Sequence, residues 1–288
     1  MLTKAQLLLK VHLAAGFGTV HQLKLAQWLT NSQHWQLSAL EIAQIVQLPT
    51  RYWATFEASY TSLALQNACE YHEQTTAYLT ILSAAYPLRL AETYLPPVVL
   101  FYRGQLALLG QPCLAVVGAR QASSYTNTVL NRLTALSPSV TIISGLAKGA
   151  DAAAHDWALS TNHPPIGVIA TGINCCYPPQ NQQLQQQVAQ NGLLLSEYSL
   201  ETPARKFQFP ERNRIIAGLC HSLLVTEARQ KSGSLITANL ALQANRNVYA
   251  APGPIHHSLS LGCNQLILAG ATPMLDHTLI QSELRYFA

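Results

Sequence analysis

The sequence predicts an α/β protein: an extended, doubly wound, mainly parallel sheet preceded by a small all-helical unit. Three observations lead there. From residue 114 onward, short Val- and Ile-rich runs alternate with helix-length segments, the pattern of parallel strands covered on both faces. Over the first 70 or so residues, apolar positions recur at helical spacing instead. The 288 residues are 49% hydrophobic and only 10% charged, with a mean hydropathy of +0.13, enough apolar side chain for a large core and too much for a disordered chain.

In chain order, Leu7, Leu8, Val11, Ala14 and Ala15 lie at helical spacing until Gly16-Phe17-Gly18 stops the run. That turn reads as a cap and tight loop, or as the hairpin of a helix-hairpin-helix whose N–H groups could meet a phosphate. Apolar stretches at Leu23–Leu29 and Leu40–Leu48 follow, the second ending at Pro49. Residues 1–75 are therefore expected to form a helical domain and 76–110 a connector, with Tyr86-Pro87, Leu95-Pro96-Pro97 and the run Val98–Tyr102. Residues 111–288 form the sheet domain, with strands expected at Leu114–Val117, Val140–Ile143, Ile166–Ala170, Leu193–Leu195, Leu223–Val225 and Val248–Ala250.

Charge is unevenly placed. Residues 201–250 hold 7 Lys plus Arg against 3 Asp plus Glu, equal to the whole chain's net charge of +4, whereas residues 1–100 hold 5 of each. A local excess of this kind points to an anionic partner at one site. No apolar run reaches the ~18 residues of a membrane helix, and no membrane insertion is expected. The six cysteines include no CxxC pair, and no signal segment opens the chain, so a cytoplasmic, reducing location is expected. No metal or cofactor is expected.

In an open parallel sheet, ligands bind at the carboxyl ends of the strands. Three loops there share one composition: Gly118-Ala119-Arg120, Ser144-Gly145-Leu146-Ala147-Lys148-Gly149-Ala150-Asp151, and Arg229-Gln230-Lys231-Ser232-Gly233-Ser234. Each offers free backbone N–H groups at a helix start together with one or two full cations, a combination that holds phosphate. Asp151 is expected to cap its helix. A fourth segment, Phe207-Gln208-Phe209-Pro210-Glu211-Arg212-Asn213-Arg214, suits a helix start near Pro210. Arg212 and Arg214 point about 200° apart on such a helix, so both cannot face one ligand and one member of the trio should brace neighbouring loops. Phe207, Phe209, Tyr177 and Tyr198 lie near strand ends, where they would stack on bases or serve as wall.

What is missing narrows the chemistry. There is no GxxxxGK[ST] and no GxGxxG, because Arg120 stands where a pyrophosphate needs close backbone approach. The acidic residues Asp151, Glu197 and Glu227 do not converge in sequence as a two-metal nuclease would need. No catalytic residue is assigned, and binding without turnover is the plainer expectation.

Taken together, Gly118-Ala119-Arg120, Ser144-Gly145-x-Ala147-x-Gly149-x-Asp151, Phe209-Pro210-x-Arg212-Asn213-Arg214-Ile215-Ile216, Lys231-Ser232-Gly233-Ser234-Leu235-x-Thr237-Ala238 and Pro252-Gly253 followed by Gly262-x-Asn264-x-Leu266-Ile267 resemble the DNA-processing protein A family, also called DprA or Smf. The resemblance covers residues 78 to 275 and implies an extended Rossmann-like domain of the short form, without a C-terminal winged helix. It further implies a homodimer without known turnover that binds and protects single-stranded DNA and helps load the recombinase RecA during natural transformation. Arg120 and Lys231 would be the main phosphate contacts, with Ser144, Gly145, Lys148, Ser232, Gly233 and Ser234 lining the pocket. Gly118, Gly149, Arg212, Asn213 and Arg214 match the family motifs, the last three with their separate roles open. Ala119 and Ala150 depart from the usual Ser and branched apolar residue. The alternative is a Rossmann-like nucleotide hydrolase resembling the phosphoribohydrolases, with Glu197 or Glu227 as acid/base, although Lys231–Thr237 lacks the Glu that those enzymes carry.

Overall fold

The structure, a computed structural model, describes residues 2–287. Five helices come first: α1 (Lys4–Leu13), α2 (Thr19–Asn31), α3 (Ala39–Ile45), α4 (Thr50–Tyr60) and α5 (Leu63–Thr75). Their starts are chemically marked. Thr3 with Gln6 and Ser38 with Glu41 form capping boxes, each satisfying two otherwise orphaned N–H groups. Gly16 takes φ +77°, and an added Cβ would meet the backbone of α4. Phe17 stacks on Phe56 with ring centroids 4.6 Å apart. Phe17 thus turns inward while Gly18 stays exposed, and the turn serves as a cap and loop.

The remaining elements are β1 (Ala77–Thr80), α6 (Leu88–Ala91), β2 (Val99–Gly104), β3 (Cys113–Val117), α7 (Ser124–Asn131), β4 (Thr141–Ser144), α8 (Ala150–Ser160), β5 (Pro165–Ile169), α9 (Gln182–Asn191), β6 (Leu193–Ser196), α10 (Gln208–Leu219), β7 (Ser222–Val225), α11 (Gly233–Gln243), β8 (Asn247–Ala250), α12 (Leu261–Leu268), β9 (Thr272–Pro273) and α13 (Thr278–Leu284). The strands form one nine-stranded sheet in the order β1-β2-β6-β5-β4-β3-β7-β8-β9. From β6 to β9 all pairs are parallel, and β1–β2 and β2–β6 are antiparallel. The fold is therefore the expected α/β, mainly parallel sheet. Residues 76–110, read from sequence as a connector, supply its antiparallel strands β1 and β2.

Every residue of β3 to β7 is buried, as a sheet covered on both faces requires. The N-terminal helices share a core with one flank of this sheet. Leu7, Leu8 and Val11 of α1 are fully buried in one cluster with Val99 and Phe101 of β2 and Leu146 and Val188. No described helix is long and apolar enough to cross a membrane.

The topology places the crevice. From central β3 the chain winds outward through β4, β5 and β6, then returns through α10 to β7 on the other side of β3. The carboxyl ends of β3, β4 and β7 therefore diverge at a switch point, where a parallel sheet opens a ligand cleft.

Candidate nucleic-acid interface

At that switch point lies a cavity of about 620 Å³. One wall is the stripe Phe209, Arg212, Asn213 and Ile216 of α10, spaced three and four apart and so on one helix face. Gly118 and Arg120 follow β3, Lys148 precedes α8, and Ser232, Gly233 and Ser234 open α11; all line the same cavity. Three loops far apart in sequence thus converge on one space, because each follows a strand at the same edge of the sheet.

The donors there are available. Arg120, Lys148 and Arg229 make no side-chain hydrogen bond or ion pair among the described residues, and the Arg120 guanidinium lies 5.4 Å from the Phe209 ring centroid. The first N–H groups of α11, at Gly233 and Ser234, donate to nothing among the described residues, and the Ser232 and Ser234 hydroxyls are 2.8 Å apart. Tyr177 meets Phe209 at 5.3 Å, centroid to centroid, and extends the aromatic wall outward.

Other motif residues build the cavity without lining it. Ser144 is fully buried, and its hydroxyl donates to Val116 O at 2.6 Å. Gly145 lies under the Arg212 guanidinium, where any Cβ would collide. Gly149 has φ +73° and comes close beneath the carbonyls of Ala119 and Arg120, while Ala150 N donates to Ala119 O at 3.1 Å. The first and second loops are therefore nested through the absence of side chains. Lys231 is exposed with φ +57° and lies outside the cavity wall. Arg229, two residues earlier in the same loop, lines it instead; the sequence places both cations in that loop and carries no local signal that favours Arg229.

The two arginines of α10 diverge. Arg212 is 4% exposed; its Nη1 donates to Gly145 O at 2.5 Å and also to Val168 O, and its Nε donates to Asn213 Oδ1 at 3.1 Å. It braces the ends of β4 and β5 from below. Arg214 leaves by the opposite flank, where its Nη2 lies 2.6 Å from both oxygens of Glu197. Helix α10 begins at Gln208, two residues before Pro210.

Asp151 does not cap α8. The N-cap is Gly149, and Asp151 sits in the first turn with Oδ2 accepting from Ala147 N at 3.4 Å. Burial pushes its pKa up, with the Arg212 charge and the loop N–H groups opposing. Burial pulls Arg212 down, with Asp151 opposing, and a guanidinium starts so high that it stays charged. Glu227, buried at the end of β7, accepts from Ser123 N at 2.8 Å, Ser123 Oγ at 2.6 Å and Thr126 Oγ1 at 2.8 Å. It ties α7 to β7. No three His, Cys, Asp or Glu side chains group as a metal site among the described residues.

The molecule is thus an α/β protein whose switch-point cleft gathers helix N-termini and cations that are unpaired among the described residues, while its nearby carboxylates are held by other groups. Comparison with known proteins narrows this class. The family model described as DNA recombination-mediator protein A matches residues 77–285, and the chain belongs to that family, which makes it a DNA-processing protein. The DNA processing protein DprA of Streptococcus pneumoniae is 47% identical over 193 residues, 67% of this chain and 68% of the relative. Protein Smf of Escherichia coli is 36% identical over 269 residues, 92% of this chain and 71% of the relative. Among solved structures, DNA processing protein A of S. pneumoniae superposes with a TM-score of 0.90 at 36% identity, covering 99% of this chain and 98% of that one. The Helicobacter pylori protein, whose structure concerns its single-stranded DNA binding mode, superposes with a TM-score of 0.65 at 27% identity, covering 74% and 97%.

Proposed function

We propose that this chain is a single-stranded DNA-binding recombination mediator that protects incoming DNA and helps load RecA during natural transformation, acting in the cytoplasm as a homodimer and without turnover. Phosphates sit at the switch-point cavity, against Arg120, Lys148, Asn213 and the Ser232-Gly233-Ser234 helix start, with Arg229 in the wall and Lys231 at the rim. Gly118, Ser144, Gly145, Gly149 and Arg212 hold that cavity in shape, and Arg214 acts on the other flank of α10. Unpaired bases stack on Phe209 and Tyr177.

The observation that carries this reading is that Arg120, Lys148 and Arg229 share one cavity with no side-chain hydrogen bond or ion pair among the described residues. The hydrolase alternative has no support in its two candidate acids, since Glu197 is paired with Arg214 and Glu227 accepts three hydrogen bonds. A fluorescence anisotropy titration with a thymidine oligonucleotide over a salt series tests the proposal. Removing one phosphate contact reduces the salt slope by about 1, so Arg120→Ala and Lys231→Ala should weaken binding and flatten that slope. Unchanged binding by folded variants would sink the site. A RecA-loading assay on the same protein tests the mediator role, and incubation with nucleoside monophosphates, looking for free base, tests the alternative.

A further inference from the structure

Two histidines of the N-terminal helices reach into the sheet domain, and both meet the segment between β6 and α10, residues 197–207. His12 of α1 donates through Nε2 to Glu197 O at 2.8 Å, and its Nδ1 meets Gln22 Oε1 at 3.1 Å. His72 of α5 is 4% exposed and takes hold one turn further on. Its Nδ1 donates to Ala68 O at 2.7 Å within its own helix, which fixes the proton there and leaves Nε2 to accept from Leu200 N at 3.2 Å, with the Ser199 hydroxyl 3.0 Å away. Beside it, Tyr71 Oη donates to Glu201 Oε1 at 2.9 Å.

The segment so held is joined, main chain to main chain, to the one that follows β5. Gly172 N donates to Thr202 O at 2.8 Å and Asn174 N to Leu200 O at 3.1 Å. Gly172 lies so close under the carbonyls of Ser199 and Leu200 that any Cβ would collide with them, and Asn174 Nδ2 donates to Glu201 Oε1. Three residues past Asn174 comes Tyr177; beyond Glu201 the other segment runs into the first turn of α10 and Phe209. Those two rings meet 5.3 Å apart, centroid to centroid. The aromatic wall of the switch-point cavity is thus carried by two loops that are fastened together at Leu200, and Leu200 N is held from α5.

We propose that His72 is a positioning residue for base stacking: by accepting from Leu200 N it sets the Tyr177–Phe209 wall, so that the N-terminal helices govern how well unpaired bases are held without touching them. This rests on the reading of the switch-point cavity as a DNA site. Rings must be held firmly to stack well, whereas the phosphate contacts of Arg120, Lys148 and the start of α11 come from loops that His72 does not meet.

Only the neutral ring can accept from Leu200 N, because a proton on Nε2 turns two donors on each other. The titratable and charged groups around it are His12 of α1, Tyr71 of α5, Glu197, Tyr198 and Glu201 of the held segment, and Glu211 and Arg214 of α10. Burial holds His72 below the ordinary histidine value, the Ala68 carbonyl opposing, His12 adding and Glu201 opposing. The contact is therefore complete at neutral pH and is lost as the pH falls through that lowered value. His12 faces an acceptor on each side, and a second proton on it breaks neither contact.

The test exchanges His72 for the two amides, which do not titrate. Glutamine places an oxygen where Nε2 accepts; asparagine replaces only the donor at Nδ1. The unaltered chain, His72→Gln and His72→Asn are each titrated at pH 7.5 and 5 with a thymidine decamer and with a decamer of abasic residues, which keeps the phosphates and lacks the bases. The ratio of the two affinities cancels groups such as Asp151 that act on phosphate alone. At pH 7.5 we expect all three proteins to bind the abasic strand equally and with one salt slope, which also shows them folded. The preference for thymidine should be alike in the unaltered chain and His72→Gln and about fivefold smaller in His72→Asn. At pH 5 it should fall in the unaltered chain and hold in His72→Gln, a comparison that carries the test if His72→Asn does not fold. Equal preference in all three proteins at pH 7.5, or a fall at pH 5 that His72→Gln shares, overturns the role of His72 while Arg120→Ala still reports on the phosphate site. Failure of the unaltered chain to bind either decamer overturns the DNA site, and the role of His72 with it.

Discussion

The two edges of the sheet use the same residue type in opposite ways. At the amino edge, Arg89 donates to Leu219 O and, at 2.6 Å, to Leu109 O, and Arg246 donates to Arg89 O at 2.8 Å and Gly218 O at 3.3 Å. Those guanidiniums close the chain between α6, α10 and the starts of β3 and β7. At the carboxyl edge Arg120, Lys148 and Arg229 donate to no protein group among the described residues. A cation whose N–H groups are taken up by main-chain carbonyls stabilises the fold; one left without acceptors is available to a ligand. Counting charges along the chain cannot separate the two kinds, because residues 201–250 contain both, Arg246 of the first and Arg229 of the second.

The strongest way to break this contrast is Arg212→Ala, because Arg212 is the one arginine of the carboxyl edge that behaves like those of the amino edge. Its loss leaves Gly145 O and Val168 O without their donor and Asp151 without its counter-charge, and should cost about 3–5 kcal/mol in urea denaturation, with DNA affinity falling as the loops lose their brace. Next is Arg89→Ala, expected to destabilise by about 2–3 kcal/mol while the folded fraction binds oligonucleotide normally. If Arg89→Ala instead weakens binding at unchanged stability, the contrast between the edges is wrong.

A pH series sharpens it further. His155, fully buried on α8, is held down to about 4 by burial, with Arg212 adding to the shift, and His221 at the amino edge is held down to about 4 by burial with Arg89 and Arg246 adding. Below pH 6.5 the unfolded chain takes up protons that the folded chain refuses until about pH 4, so stability should fall across that window. His155 alone should account for on the order of 2 kcal/mol by pH 5. In Arg89→Ala the part due to His221 should shrink and that of His155 persist, as denaturation at pH 7.5 and 5 would reveal.

Smaller effects belong to the free cations and their acid neighbour. Arg120→Ala should leave the melting temperature unchanged and reduce oligonucleotide affinity about tenfold. Asp151→Asn removes a carboxylate from the cavity and should tighten binding about threefold at neutral pH, with its advantage over the unaltered chain narrowing as the raised pKa of Asp151 is approached from above. A salt-matched anisotropy series over pH would detect both.

Strands β3 to β8 were legible because strands buried on both faces are continuous apolar runs, and Leu114–Val117 or Leu193–Leu195 can be read without knowing their neighbours. β1 and β2 were not. Only Leu79 and Thr80 of β1 are buried, and burial of β2 fades from Val99 to Gly104; their place in the sheet follows from pairing β2 with β6, some ninety residues on, which leaves no local trace. At the crevice, glycine turns with adjacent cations marked the three loops. The inward turn of the Ser144 hydroxyl depends on Val116 O in the next strand, and the need for Gly145 depends on an arginine far along the chain. The choice of Arg229 over Lys231 as wall residue follows the path of the loop, which turns through a left-handed Lys231.

The brace formed by Arg212 has a kinetic meaning. Because it joins the ends of β4 and β5 before any ligand arrives, the crevice is set during folding and little ordering remains for the moment of encounter. Association should then be fast and alike for oligonucleotides of different sequence, governed by salt, and preferences among them should appear in the rate at which they leave.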